Sequence, residues 1–204
     1  MKVYEINMAL LMTRHIVGIC GKRRSGKDVV ADHLCQHYGY TKYKIADKLK
    51  SMCKLLFGFT DEELEITKDE PCERWGDVTP RRVMQFMGTE VMQHQLQDLF
   101  PKVGRKFWIR SVINDFAHEH ITISDLRFLH ELEELKRLEQ DTADVKVIVL
   151  KIQRNSTGTT SDADLHESET ECSKIQPDVV IVNDGNLDDL LAKVDRFCRQ
   201  LSET

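Results

Sequence analysis

The stretch His15-Ile-Val-Gly-Ile-Cys20-Gly21-Lys22-Arg23-Arg24-Ser25-Gly26-Lys27-Asp28 decides the fold. Its first six residues are a short apolar run, the pattern of a strand buried on both faces. From Lys27 onward, Val29, Val30, Leu34 and Tyr38 recur at helical spacing until Gly39 stops the helix. Between strand and helix lies Gly21-x-x-x-x-Gly26-Lys27. In that setting glycines let the backbone wrap a phosphate with its N–H groups turned inward, and the helix N-terminus adds the positive end of its dipole. Gly21, Lys22, Ser25, Gly26, Lys27, Asp28 and Val29 are therefore the expected lining of a site for ATP, with Lys27 reaching the β- and γ-phosphates.

The residue after the lysine of such a loop is commonly Ser or Thr, whose hydroxyl ligates magnesium. Here it is Asp28. A carboxylate is also a hard oxygen ligand for Mg2+, acting directly or through water; its other reading is a first-turn residue favoured by the helix dipole. Lys22, Arg23 and Arg24 add three cations. They are either a solvated basic turn, or Arg23 or Arg24 neutralises the transferring phosphoryl group as an arginine finger does. The polar stretch 154–176 reads as a lid whose cations are Arg154, His166 and Lys174. The loop arginines would supply what that lid lacks, and Arg154 would sit beside ATP.

Working outward, Lys42–Ala46, Ile121–Ser124, Val145–Ile152 and Val179–Val182 are further short apolar strands. Helices are expected over Asp47–Phe57 with Asp47 as N-cap, from Thr79-Pro80 to about Phe100, over Arg105–His118, over Glu131–Gln140 and over Leu187–Leu201. Residues 58–78 lack clean periodicity and read as a partly helical insertion. Five strands alternating with helices predict an α/β fold: a doubly wound parallel five-stranded sheet, to which the resemblance given below adds a lid and a monophosphate-binding helical region. Residues 1–13 read as an N-terminal extension and 14–204 as one phosphate-loop domain, with residues 58–118 binding the acceptor.

A phosphate donor site implies an acceptor site. Asp125 and Arg127 fall just past the carboxyl end of a strand, the edge at which open α/β sheets bind ligands. Asp125 would hold magnesium or its water, or fix the acceptor; Arg127 would clamp a phosphate. The bland alternative is an Asp–Arg pair capping the next helix. In Arg81-Arg82-Val-Met-Gln85-Phe-Met-Gly88-Thr89, Arg82 and Gln85 share a helix face. Arg82 suits a phosphate and Gln85 a base edge. Gly88 inside a helix costs about 1 kcal/mol against alanine, which hints at a close approach of ligand or backbone. Trp108 would either stack on a base or fill the core.

The 204 residues carry a net charge of −5, with 41% hydrophobic and 31% charged side chains. A net-acidic chain argues against nucleic acid or an anionic membrane as partner, while a local basic pocket for a small phosphorylated ligand escapes that sum. The six cysteines contain no Cys-x-x-Cys pair and read as reduced thiols of a cytoplasmic protein. No apolar run approaches the roughly 18 residues of a membrane span.

Four motifs in order resemble those of bacteriophage-type deoxynucleoside monophosphate kinases: Gly21-x-x-Arg24-Ser25-Gly26-Lys27-Asp28, Arg81-Arg82-x-Met84-Gln85-x-x-Gly88-Thr89, Asp125-x-Arg127-x-x-His130-Glu131, and Val182-Asn183-Asp184-Gly185-x-Leu187. The likeness runs from about Ile16 to the last helix. It implies that Lys50, Arg82, Gln85, Gly88, Thr89, Trp108, Asp125, Arg127 and Glu131 line the monophosphate site. It also implies that the loop holds ATP with Mg2+, and it leaves a homodimer as one allowed assembly. The span between Phe57 and Thr79 is shorter than in the phage enzymes, which carry a long insertion there. The loop is also similar to that of animal phosphomevalonate kinase, whose acceptor is a phosphorylated acid. A non-catalytic nucleotide-binding protein is the third reading; neither an Asn-Lys-x-Asp motif nor an Asp-x-x-Gly-Gln motif marks a switch GTPase.

Overall fold

A computed structural model describes residues 13–117, 120–154 and 167–202. Residues 1–12 of the expected extension, His118, and residues 155–166 of the expected lid lie outside the described residues.

Five parallel strands form one sheet in the order β2-β3-β1-β4-β5, with β1 at Arg14–Cys20, β2 at Tyr40–Tyr43, β3 at His120–Ile123, β4 at Val145–Gln153 and β5 at Val179–Val182. The central β1 pairs with β4 from Arg14↔Val145 to Cys20↔Lys151, and with β3 from Ile16↔Ile121 to Gly18↔Ile123. Side chains alternate with period two. Ile16 and Cys20 of β1 and Val145, Val147 and Val149 of β4 face one core. Val17, Ile19, Ile148, Leu150 and Ile152 face the other. Helices α1 (Lys27–Tyr38) and α9 (Leu187–Ser202) close the second core through Val30, Leu34, Leu190, Val194 and Phe197. Helices α6 (Phe107–Ile113) and α7 (Leu129–Asp141) cover the first through Trp108, Ile109, Val112 and Leu135, joined by Cys172 at the end of α8 (Glu167–Cys172) and by Ile175. The doubly wound parallel sheet expected from the alternation is thus the observed one.

Several boundaries differ from the sequence reading, for physical reasons. Strand β2 begins at Tyr40, not Lys42, and ends before Ile45, because the N–H groups of Ile45 and Ala46 are taken by the Asp125 carboxylate at 2.8 and 2.9 Å. Helix α2 (Ile45–Phe57) therefore starts there. Its N-cap position is Lys44 rather than Asp47, the capping carboxylate comes from the turn after the neighbouring strand β3, and Asp47 sits in the first turn. Thr79 and Pro80 open α4 (Pro80–Gln85) as read, with Thr79 Oγ1 accepting from Arg82 N. The helix then widens into a π-helical segment, Phe86–Gln95, before a last α-turn, α5 (Leu96–Leu99). The expected Arg105–His118 helix is a 3-10 turn, Gly104–Lys106, followed by α6. The insertion at 58–78 holds a short helix, α3 (Asp61–Glu65), opened by a reciprocal Thr60–Glu63 capping box, and a 3-10 turn, Glu73–Trp75.

Candidate active site

The phosphate loop leaves β1 and enters α1 through left-handed backbone at Gly21 (φ 139°), Arg24 (φ 61°) and Gly26 (φ 107°). Only glycine fits at Gly21, where a Cβ would collide with the carbonyl of Ile152 on β4. Asn183, after β5, braces the loop by donating Nδ2–H to the Ser25 carbonyl at 2.8 Å. Lys27 Nζ donates to the carbonyls of Gly21 and Lys22, both at 2.7 Å. The loop thus holds its own lysine across the place where a phosphate would lie.

Asp28 points away from the loop toward two cations, Lys44 at 2.7 Å and Lys42 at 3.1 Å, and accepts from Ser124 Oγ at 3.3 Å. Partial burial alone would raise its pKa. The hydrogen bonds from Lys44 and Lys42 outweigh that and hold it at about 2. Lys44 is raised in turn, its own desolvation being overcome by Asp28. Asp28 is therefore an ionised oxygen donor, open on one side, beside a hydroxyl, which fits a magnesium ligand or a holder of its water shell. Asp125 fits that task poorly. Both its oxygens already cap α2, and desolvation drives its carboxyl upward toward the neutral form despite the Ala46 N–H and Arg127. In this geometry Asp125 serves as a helix cap that ties β3 to α2.

A cleft of about 350 Å³ opens from the loop across the carboxyl ends of β1 and β3 into the helical region. Of the residues read as the acceptor site, Lys50, Gln85, Gly88, Thr89, Trp108, Asp125, Arg127 and Glu131 line it, together with Arg23, Arg24, Lys27 and Asp28. Arg82 does not: it is exposed, and its neighbour Arg81 lines the wall instead. The sequence periodicity singled out Arg82, whereas the arginine that lines the cleft is Arg81. Lys22 and Val29 are exposed, as is Arg154 just past β4, and none of the three lines the cleft.

The cleft wall near the loop is crowded with cations. Arg81 grips Asp69 through Nε and Nη2, and Arg23 approaches the same carboxylate at 3.8 Å. Lys50 pairs with Glu65. Lys68 is pulled below its ordinary pKa, first by burial and then by Arg81, with Arg23 and Lys50 adding to the effect. Mutual repulsion of this kind is what an incoming phosphate relieves. Lys44 and Lys68 were missed in the sequence, and Arg81 was quoted in its motif without a role, because they stand in unpatterned or doubly basic stretches.

Trp108 fills the core as one of its two readings had it, and it also borders the cleft. Trp108 is 6% exposed, packs in the core and gives its indole N–H to the Gly88 carbonyl at 2.9 Å, while one side of the ring walls the cleft. Gly88 lines the cleft and also packs against a side chain: a Cβ there would meet Leu49 Cδ2 at 2.6 Å. Glu131 is a buried cap whose Oε2 accepts from Arg127 N and Phe128 N at 2.8 and 2.9 Å. Burial raises its pKa to about 8 against those two donors, and it fixes the turn that carries Arg127.

Comparisons with known proteins bear on the family. A mimivirus protein (Acanthamoeba polyphaga mimivirus), named as a candidate deoxynucleotide monophosphate kinase, is 30% identical over 190 residues, covering 88% of this chain and 93% of its own. The deoxynucleotide monophosphate kinase of Escherichia phage RB69 is 27% identical over 120 residues, 58% of this chain and 44% of the phage protein. Among solved structures, dephospho-CoA kinase from Campylobacter jejuni superposes at a TM-score of 0.48 and 13% identity over 95% of this chain and 98% of that one, too loosely to bear on function. The deoxynucleotide monophosphate kinase profile matches residues 15–75 and 60–194, and the chain belongs to that family.

Proposed function

We propose that the protein transfers the γ-phosphoryl group of ATP to a deoxynucleoside monophosphate, giving ADP and the deoxynucleoside diphosphate. The observation that carries this reading is the single cleft shared by the loop residues Arg23, Arg24 and Lys27 and by the acceptor-side residues Arg81, Gln85, Trp108 and Arg127. Donor and acceptor phosphates would meet in it. An acceptor phosphate oxygen attacks the γ-phosphorus, the bond to the β-phosphate oxygen breaks, and ADP leaves. Such transfers depend on positioning and charge neutralisation more than on acid–base chemistry. Lys27 moves from its loop carbonyls to the β- and γ-phosphates. Arg23 or Arg24 meets the moving group, and Arg127 and Arg81 hold the acceptor. Mg2+, when bound, neutralises the triphosphate; Asp28 beside Ser124 is the donor that would hold it.

The reading carries with it a cytoplasmic protein acting on small nucleotides, supported by six free cysteines and by the absence, among the described residues, of a helix long and apolar enough to cross a membrane. A coupled ADP-release assay with Mg-ATP tests it against each deoxynucleoside monophosphate, its ribose counterpart and phosphomevalonate. Turnover of one or more deoxynucleotides is the expected result. Turnover of phosphomevalonate alone, or of nothing, overturns the proposal.

A further inference from the structure

One polar side chain in the cleft has no part in the phosphate chemistry. Gln93 lies in the π-helical segment Phe86–Gln95, is 3% exposed, and lines the cleft alongside Gln85, Thr89 and Trp108. Its Oε1 is sealed from solvent and accepts no hydrogen bond among the described residues. A buried amide oxygen without a donor is a net cost to the folded chain, and the side chain that carries it is part of the cleft lining.

Its neighbourhood narrows what the missing partner is. Arg81, at the start of α4, and Gln93 are twelve residues apart, roughly 15–18 Å of helix. The cation-rich wall and Gln93 therefore address different parts of one ligand. Trp108 has already given its N–H to Gly88, so it offers only an apolar ring surface. A carboxamide beside an aromatic wall matches a flat heterocycle with a donor and an acceptor side by side on its edge, and it matches neither a second phosphate nor an aliphatic acid.

We propose that Gln93 is the base-reading residue of the acceptor site, its Oε1 accepting an N–H from the nucleobase edge while Nε2 donates to the adjacent ring nitrogen or carbonyl. The inference rests on the reading of the cleft as a nucleoside monophosphate site and adds to it the group that recognises the base. Gln85, which the sequence singled out for that task, stands nearer the phosphate wall by two helical turns.

The test is Gln93→Leu, with Gln93→Met as a second variant of similar shape. Three quantities are measured beside the wild type: KM for each deoxynucleoside monophosphate and for ATP, the thermal midpoint without ligand and with deoxynucleotide, and the same thermal shift with 2-deoxyribose 5-phosphate, which lacks a base. The expected result is an acceptor KM raised tenfold or more, an ATP KM within twofold, and a ligand-free midpoint unchanged or higher because an unsatisfied polar group has been removed. The deoxynucleotide-induced shift falls, while the 2-deoxyribose 5-phosphate shift matches that of the wild type. An unchanged acceptor KM overturns the inference with the kinase reading intact. So does a lowered ligand-free midpoint with both KM values raised together, which marks a packing role. A wild type that neither turns over nor is stabilised by any deoxynucleotide overturns the kinase reading, and the inference with it.

Discussion

Asn183 and Ser25 are joined across 158 positions of chain by one hydrogen bond, Asn183 Nδ2–H to the Ser25 carbonyl at 2.8 Å. Asn183 is itself fixed by its backbone N–H on the Gln153 carbonyl at 2.7 Å, and its amide lies 3.0 Å from where a Cβ on Gly26 would stand. The turn after β5 therefore sets the curvature of the phosphate loop. Asn183→Leu removes the donor and leaves the Ser25 carbonyl buried and unpaired, a cost of about 1–3 kcal/mol. The expected outcome is a lower thermal midpoint and a KM for ATP raised several-fold with the acceptor KM little changed, read from unfolding scans and steady-state kinetics.

Lys27 donates at 2.7 Å to two carbonyls of its own loop, so its ammonium is satisfied before any nucleotide arrives. Lys27→Met removes a charge that matters most when the γ-phosphoryl group is in flight. Loss of one such transition-state donor costs on the order of 10²–10³-fold in kcat. ATP binding measured by calorimetry should weaken far less than turnover falls. Near-normal turnover would remove Lys27 from the mechanism.

Adjacent arginines separate two readings of one motif. Arg81 faces the cleft on the Asp69 carboxylate, and Arg82 is exposed. A charge-assisted hydrogen bond to an acceptor phosphate is worth about 1.5–3 kcal/mol, roughly 10–100-fold in KM. Arg81→Ala should raise the acceptor KM by that factor, whereas Arg82→Ala should stay within about twofold, a surface change with no lost contact. The reverse ranking would restore the arginine that sequence periodicity favoured.

Much of this site was legible in the sequence because its parts are local. A glycine-flanked loop between an apolar run and a helix needs no tertiary information, and the alternating strands carry the sheet. What escaped is non-local. No pattern within Ile45–Phe57 reveals that its cap is Asp125. The choice between Arg81 and Arg82 depends on how α4 is rotated against α2. Gln93 escaped for a subtler reason. In an α-helix, Gly88 and Gln93, five residues apart, would stand about 140° from one another. The i→i+5 ladder of the π-helical segment takes more residues per turn and brings both to the buried face.

Gly88 and Leu49 make a coupled pair. The glycine is open to Leu49 Cδ2, which would lie 2.6 Å from an added Cβ, and the obstacle is the end of a flexible side chain. Gly88→Ala gains up to about 1 kcal/mol of helix propensity and loses about 1–3 kcal/mol to overpacking, so a small net destabilisation is expected. In the Leu49→Ala background the overpacking vanishes and the same substitution should stabilise. A double-mutant cycle by denaturant unfolding should give a coupling of about 1 kcal/mol or more; additivity would mean that the two residues do not touch.

The Asp28 carboxylate makes acid sensitivity a readout of the loop. Its native pKa is held at about 2, below the ordinary 3.8, by Lys44 and Lys42 against the opposing effect of burial. A depressed carboxyl pKa contributes stability that is fully present above the unfolded value and is lost as pH falls through the native one. The window is therefore about pH 4 down to about pH 2. Because the side chain is 60% exposed, the contribution should stay within the ~0–1 kcal/mol range of solvated ion pairs. Asp28→Asn abolishes it. The stability gap between wild type and variant, followed by denaturant unfolding, should be constant from neutral pH to about pH 4 and then close toward pH 2. A gap independent of pH would mean that Asp28 is not paired with Lys44 and Lys42 in solution, leaving its carboxylate free to serve magnesium alone.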